Sequence, residues 1–208
     1  NIPKIPKFKG INTFKGKMLH SSQWDHTYNY NNKNIAVIGA GPSAIQIIPE
    51  MGKIANHLYV FQRSASHCIP KFGNEPLSDT TRWILRNVPL IGPLIRLMAY
   101  WPRELIFYPQ MYQKLVGNRK KMLTTMYEEY RDSVVKDEVI RNKITPTCEP
   151  FGKRLLLHND YYPTLIRDNV TLIKGDIKEI KENSIVYIED GNEYETKHEL
   201  DCIIMGTG

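Results

Sequence analysis

The sequence predicts an α/β fold: a parallel sheet, a small antiparallel β-meander and a helical insertion. Three observations carry that reading. Residues 33–62 hold a buried strand, a helix and a second buried strand, the size of one βαβ unit. Residues 78–142 lose that alternation and take helical spacing. After Pro146 the strand pattern returns in short pieces. Composition agrees: 41% of the 208 residues are hydrophobic and 24% are charged. These are ordinary globular values, and they exclude a coiled coil, a collagen-like chain and a fully disordered tail.

Each element has its own signal. Residues 1–32 read as an extended leader, punctuated by Pro3, Pro6, Gly10 and Gly16 and closed by a turn at Asn29, Asn31 and Asn32. Residues 33–39 form a β-branched apolar run ending in glycine, the mark of a buried parallel strand. Residues 42–51 gather Ala44, Ile45, Ile47 and Ile48 on one helical side. Residues 57–62 are a second buried strand, so 33–77 make the first part of a sheet domain.

In 78–142 the prolines cluster early and 112–141 has none. Its stripe of Trp83, Leu85, Ile91, Leu94, Leu97, Trp101, Leu105 and Phe107 is expected to be helix packing surface. A substrate-tunnel wall and a lipid-contacting face are the alternatives. The most apolar stretch, 88–109, is broken by Pro89, Pro93, Arg96, Pro102, Arg103 and Glu104, so it fails as a membrane span.

Residues 143–208 complete the sheet domain. A strand is expected at 155–157, then a short helix capped by Asn159 or Asp160 and running to Arg167. A strand follows at 170–173. Residues 177–180, 184–188 and 194–197 form the meander, with Asp190-Gly191 as its hairpin turn. Residues 200–205 are a last apolar strand. The chain opens at Asn1 and stops at Gly208 directly behind that strand, as expected of a piece cut from a longer protein.

The formal charge of +6 is uneven: +5 over residues 1–33, +1 over 34–77, +4 over 78–142 and −4 over 143–208. A solvated basic surface explains most of it. A field favouring an anionic ligand, such as a phosphorylated cofactor, is the functional alternative. Nucleic acid is not expected, because no recognition motif or stacking platform accompanies the basic residues. Cys68, Cys148 and Cys202 are too scattered for a metal site and read as free thiols. With no signal peptide in view, they suggest a reducing, cytoplasmic setting.

The sharpest local motif is Gly39-Ala40-Gly41-Pro42-Ser43-Ala44, which fits GxGxxG/A between a strand and a helix. Gly39 permits the tight turn, Gly41 lets a pyrophosphate approach the backbone, and Ala44 allows close helix–strand packing. The fold is therefore expected to be Rossmann-like, with phosphates held at the helix N-terminus. The second strand ends Gln62-Arg63-Ser64, with no acidic residue between Leu58 and Pro70 to accept from a ribose 2′-hydroxyl. Arg63 instead offers a charge-assisted contact to a 2′-phosphate, with Ser64 as a hydroxyl donor. The site is thus expected to prefer NADP to NAD.

The leader carries Phe14-Lys15-Gly16-Lys17-Met18-Leu19-His20-Ser21-Ser22-Gln23-Trp24-Asp25. This string resembles FxGxxxHxxxW followed by Pro or Asp, the fingerprint of Baeyer–Villiger monooxygenases, at every fixed position. Flavin-containing monooxygenases and N-hydroxylases carry a similar string, typically with Tyr or Phe at the place of Trp24. Residues 37–46 with 61–64 resemble the same family's NADPH site. Gly152-Lys153-Arg154 followed by Asn159-Asp160-Tyr161-Tyr162 resembles its Lys-Arg segment. Residues 201–208, ending Gly206-Thr207-Gly208, resemble its second linker motif.

The resemblance implies the NADPH-binding portion of a class B flavoprotein monooxygenase. Such an enzyme inserts one oxygen atom of O₂ into a ketone through a peroxyflavin. It implies NADP contacts at Gly41, Ser43, Gln46, Arg63, Ser64 and Lys153, beside Gly39 and Ala44 of the glycine turn. It implies that Arg154 stabilises anionic charge over the flavin, as a guanidinium that is always protonated can in a dry site. His20 then couples the linker to cofactor binding. The implied partners are NADPH, FAD, O₂ and a hydrophobic small molecule, with peripheral membrane contact through the insertion as a further expectation. On this reading residues 1–32 are a linker, 33–77 and 143–208 the two parts of the NADP domain, and 78–142 the insertion. There are departures. Pro42 removes one phosphate-facing N–H, although proline suits a first helical turn. Gly152 and Lys153 are adjacent, where one residue commonly separates them. No second GxGxxG is present, so FAD is expected to be bound mainly outside this chain. Heteroatom oxygenation on nitrogen or sulfur is the enzymatic alternative, and a non-catalytic NADP-binding module or a degenerate fragment is the alternative of another class.

Overall fold

The computed structural model describes residues 6–71, 75–111, 117–148 and 152–207. The start of the leader and Gly208 lie outside them. The chain divides into two compact units, residues 1–70 with 129–208, and residues 71–128. In chain order the elements are β1 (Lys17–His20), β2 (Asn34–Ile38), α1 (Pro42–Ile54), β3 (His57–Gln62), β4 (Cys68–Ile69), α2 (Asp79–Asn87), α3 (Ile91–Met111), α4 (Gly117–Val134), α5 (Glu138–Ile144), β5 (Leu156–Leu157), α6 (Tyr161–Leu165), β6 (Val170–Lys174), β7 (Asp176–Ile180), β8 (Ile185–Glu189), β9 (Asn192–Glu195) and β10 (Cys202–Met205).

The first unit is built on a five-stranded sheet of order β1-β10-β2-β3-β6, every neighbouring pair parallel. Residues 35–38 of β2, 58–61 of β3 and all of β10 are buried and largely apolar because both faces are covered. Side chains alternate between the faces. Ala36, Ile38, Tyr59, Phe61, Ile173, Ile203 and Met205 share one core with Ile180 and Ile185 of the meander, and Phe8, Ile11 and Phe14 of the leader pack against it. Ile35, Val37, Leu58 and Val60 form the opposite rows of the same register, under α1, with α6 beside it on β6. Asn169 ties that layer down by donating from Nδ2 to the carbonyls of Gly52 (3.2 Å) and Ala55 (3.0 Å) at the end of α1. The meander β7-β8-β9 is antiparallel and turns at Asp190-Gly191. Both turn residues have positive φ, 50° and 80°, as a two-residue hairpin of matching twist requires.

The structure differs from the expectations in the leader, in α6 and in the second unit, and the last meander strand lies at Asn192–Glu195 rather than at 194–197. The leader is not simply extended: a 3-10 turn spans Ile11–Thr13, and Lys17–His20 adds an edge strand parallel to β10. Asp160 sits at the N-cap of α6, but its side chain makes no capping bond and the helix ends at Leu165 rather than Arg167. Its carbonyl instead takes the N–H and the hydroxyl of Thr164.

The third difference lies in the second unit. α2 opens at Ser78, whose hydroxyl accepts from Thr81 N–H (3.2 Å), and turns into α3 through Leu90 at a φ of 68°. Much of the apolar stripe expected to pack is exposed there: Trp83 is 63% exposed, Leu94 53%, Leu97 51% and Trp101 52%, while Leu85 and Ile91 are half-buried. The side chains of Leu105 and Phe107 lie outside the described set. Among the described residues no helix is long and apolar enough to cross a membrane. Residues 129–142, read with the insertion from their spacing, belong to the first unit.

Candidate functional site

β2, β3 and β6 end side by side, and a cleft of about 400 Å³ opens beyond their carboxyl ends. From β2 the chain crosses through α1 to β3 on one side, while β10 adjoins β2 on the other. This is the switch point at which ligands bind in open parallel sheets.

The glycine turn forms one end of the cleft. Gly39 has a φ of 131°, and its N–H donates to the Phe61 carbonyl (2.9 Å). A Cβ on Gly39 would stand 2.7 Å from the Gly206 carbonyl oxygen, and one on Gly206 would stand 2.8 Å from the Ala44 Cβ. Gly39, Ala44 and Gly206 are therefore fixed by packing between the turn and the chain leaving β10. Gly41 differs: a Cβ there would stand 3.9 Å from its nearest neighbour. Among the described residues no contact demands glycine at that place, while it lines the cleft. Pro42 is the first residue of α1, and the first internal bond runs from Ile45 N–H to the Gly41 carbonyl (3.1 Å). The Ser43 and Ala44 amides precede it and have no helical partner, so they add to the positive end of the helix.

Arg63, Ser64 and Lys153 form the basic wall. Lys153 comes from a distant stretch of chain, and a short ladder brings it in. β4 leaves the end of β3 and pairs in parallel with β5, through Leu156 N–H to the His67 carbonyl (2.8 Å) and His158 N–H to the Ile69 carbonyl (3.1 Å). Tyr130 braces the far side by donating to the Asn159 carbonyl (2.7 Å). Lys153 Nζ then donates to Ser64 Oγ. Two cations and a hydroxyl converge beyond β3, an arrangement suited to a phosphate.

The fingerprint segment straps the far edge of the sheet. Gly16 passes close to the chain before β10, where a Cβ would meet the Asp201 carbonyl oxygen at 2.5 Å. The buried His20 ring reaches the Thr207 carbonyl through Nε2 (2.6 Å) and Ser22 through Nδ1, which receives the Ser22 N–H (3.2 Å) and lies 2.8 Å from its hydroxyl. A carbonyl only accepts, so the proton sits on Nε2. Trp24 stacks on Tyr30 with ring centroids 5.0 Å apart. Asp25 accepts from Lys17 Nζ (2.6 Å) and from both the N–H (2.9 Å) and the hydroxyl (2.6 Å) of Thr27. Lys17 foremost, then Thr27, holds its carboxyl well below the usual range. Every fixed residue of the motif thus has a structural partner, and His20 touches Thr207, which lines the cleft.

Of the predicted residues, the structure brings Gly39, Gly41, Arg63, Ser64 and Lys153 to one cleft. Ala44 is buried beneath it, while Ser43 and Gln46 lie exposed on the first turn of α1. Arg154 is exposed and outside the lining. The sequence reading missed Phe8, Ser66, Gly175, Asp176 and Ile177, which also line the cleft. They carry no motif, and the sheet alone assembles them. Burial pushes the Cys68 and Cys202 thiols up to about 12, so neither is poised as a nucleophile.

Residues 1–82 match the family described as flavin-binding monooxygenase-like. The whole chain aligns at 36% identity with a Baeyer–Villiger monooxygenase of Pseudomonas aeruginosa, covering 38% of that protein. Nearly all of it, 99%, aligns at 33% identity with a Baeyer–Villiger monooxygenase of Streptomyces coelicolor, again covering 38%. The chain therefore spans about two fifths of the length of the curated relatives it matches. Among solved structures it superposes on an OTEMO complex with FAD and NADP at a TM-score of 0.78 and 26% identity, covering 100% of this chain and 45% of that one. An oxidized steroid monooxygenase bound to NADP gives a TM-score of 0.78 at 27% identity, covering 99% of this chain and 45% of that one.

Proposed function

The chain belongs to the flavin-binding monooxygenase-like family, and from that premise we propose that it is the NADPH-binding portion of an FAD-dependent monooxygenase of the Baeyer–Villiger type. One observation carries the proposal: the glycine turn, Arg63, Ser64 and Lys153 line a single cleft beyond the sheet. The residues fit the dinucleotide. Gly41 leaves room for a pyrophosphate against the start of α1, and Arg63 with Lys153 offers paired cations to a 2′-phosphate. No acid stands among residues 58–70 to take a bare 2′-hydroxyl, which favours NADPH over NADH.

NADPH supplies reducing equivalents and FAD the oxygen chemistry when bound. The work of this chain is to hold and orient. His20 keeps its proton on Nε2 toward the Thr207 carbonyl and so ties the strap to the cleft's edge. Both ring nitrogens are engaged, which suits positioning rather than proton transfer. Arg154 is exposed beside Lys153, and its permanent cation would stabilise anionic charge on a flavin bound next to it. FAD itself is held mainly by sequence this chain does not contain, and the ketone is a hydrophobic small molecule.

Arg63→Ala tests the cofactor assignment. It should weaken NADPH binding about 10- to 100-fold, the scale of a hydrogen bond between charged groups. NADH binding should change little, and an equal loss for both would refute the role. Product analysis of the complete enzyme separates the chemistries: a ketone must yield an ester or lactone, and heteroatom oxidation alone would reject the Baeyer–Villiger reading.

A further inference from the structure

The cleft does not end at the basic wall. Past Arg63 it continues to the corner where β6 turns into the meander, lined by Gly175, Asp176 and Ile177 on one side and by Pro6 and Phe8 of the leader on the other. The Gly175 N–H donates to the Gln62 carbonyl (3.0 Å), which pins the corner beside the Arg63-bearing end of β3. Asp176 is exposed, and among the described residues its carboxylate takes no ion pair or side-chain hydrogen bond. An unpaired acceptor thus stands in a cleft whose other charged side chains, Arg63 and Lys153, are basic.

Resting on the reading of the cleft as an NADPH site, we propose that this corner recognises the adenine base, with Asp176 accepting from its exocyclic amino group. The spacing of the sheet supports this. Neighbouring strands lie about 4.8 Å apart, so the ends of β2, β3 and β6 span roughly 10 Å. With the pyrophosphate at the end of β2 and the 2′-phosphate at the end of β3, the base on that same ribose reaches the end of β6. There the flat ring meets apolar cover from Phe8, Pro6 and Ile177, and its amino edge meets a carboxylate that can only accept. Hypoxanthine and guanine present an oxygen at the same ring position, so the carboxylate selects against them. Asp176 is therefore a specificity residue for the base, separate from the cations that read the phosphates.

The test uses NADPH and its hypoxanthine analogue, titrated into the full chain and into Asp176→Asn and Asp176→Ala variants. The unaltered chain should bind NADPH about 10- to 100-fold more tightly than the analogue, the ratio that a hydrogen bond to a charged group supports. Both variants should bring the two affinities within about threefold, and the asparagine, which can also donate, should bind the analogue better than the alanine does. Arg63→Ala should weaken both ligands alike and leave their ratio intact. Equal binding of NADPH and the analogue by the unaltered chain, or a preference that survives in both variants, would overturn the proposal while leaving the NADPH site standing. Failure to bind NADPH at all would overturn the cofactor reading first, and this inference with it.

Discussion

Asp25 shows how a fingerprint residue can matter without lining the cleft. Its carboxylate accepts three hydrogen bonds, from Lys17 and twice from Thr27, and the Tyr30 hydroxyl donates to its own carbonyl (2.9 Å). Its pKa is depressed in the folded chain, so its stabilisation is present above the unfolded value near 3.8 and is lost as pH falls below it. Asp25→Asn should therefore lower stability at pH 7 and flatten the acid limb of a stability–pH curve below pH 4; an unchanged acid limb would show that the strap does not depend on this charge. The cleft-lining residues were legible at this scale where their place is local. Gly39, Gly41, Arg63 and Ser64 lie next to a strand end and follow from the turn motif. Asp176 and Phe8 were not, because nothing near them in sequence marks them as neighbours of Arg63. Arg154 followed from the resemblance alone, and it lies outside the cleft lining in this chain.

Among the elements, the parallel strands were the easiest to read. β2 and β3 are short apolar runs, and each is covered on both faces. β1 was missed because Lys-Met-Leu-His alternates weakly and its partner, β10, stands near the other end of the chain. The stripe on α2 and α3 misled for a related reason. Periodicity shows that a helix has an apolar side, but only tertiary structure shows whether anything covers it. The junction between β10 and the glycine turn is a tight seam between elements, with Gly206 wedged on Ala44. Gly206→Ala should cost about 1–3 kcal/mol through overpacking. Denaturant unfolding would read that cost, and it should be accompanied by weaker NADPH binding because the clash displaces the turn. Full stability in the variant would mean that the seam is looser than the contact distances indicate.

At the scale of the whole molecule, the cleft is assembled from three strand ends, a leader strap and a short ladder that returns Lys153 to Ser64. The positive charge divides accordingly. Arg63 and Lys153 face the cleft, while Lys17, Lys33, Lys143 and Lys181 are engaged in ion pairs elsewhere in the same unit. One measurement tests the central claim most directly: calorimetric titration of the full chain with NADPH and, in parallel, with NADH. The account predicts saturable binding of NADPH at least about tenfold tighter than NADH, the ratio a single charge-assisted contact to the 2′-phosphate supports. Equal affinities for the two nucleotides, or no binding of NADPH, would contradict it.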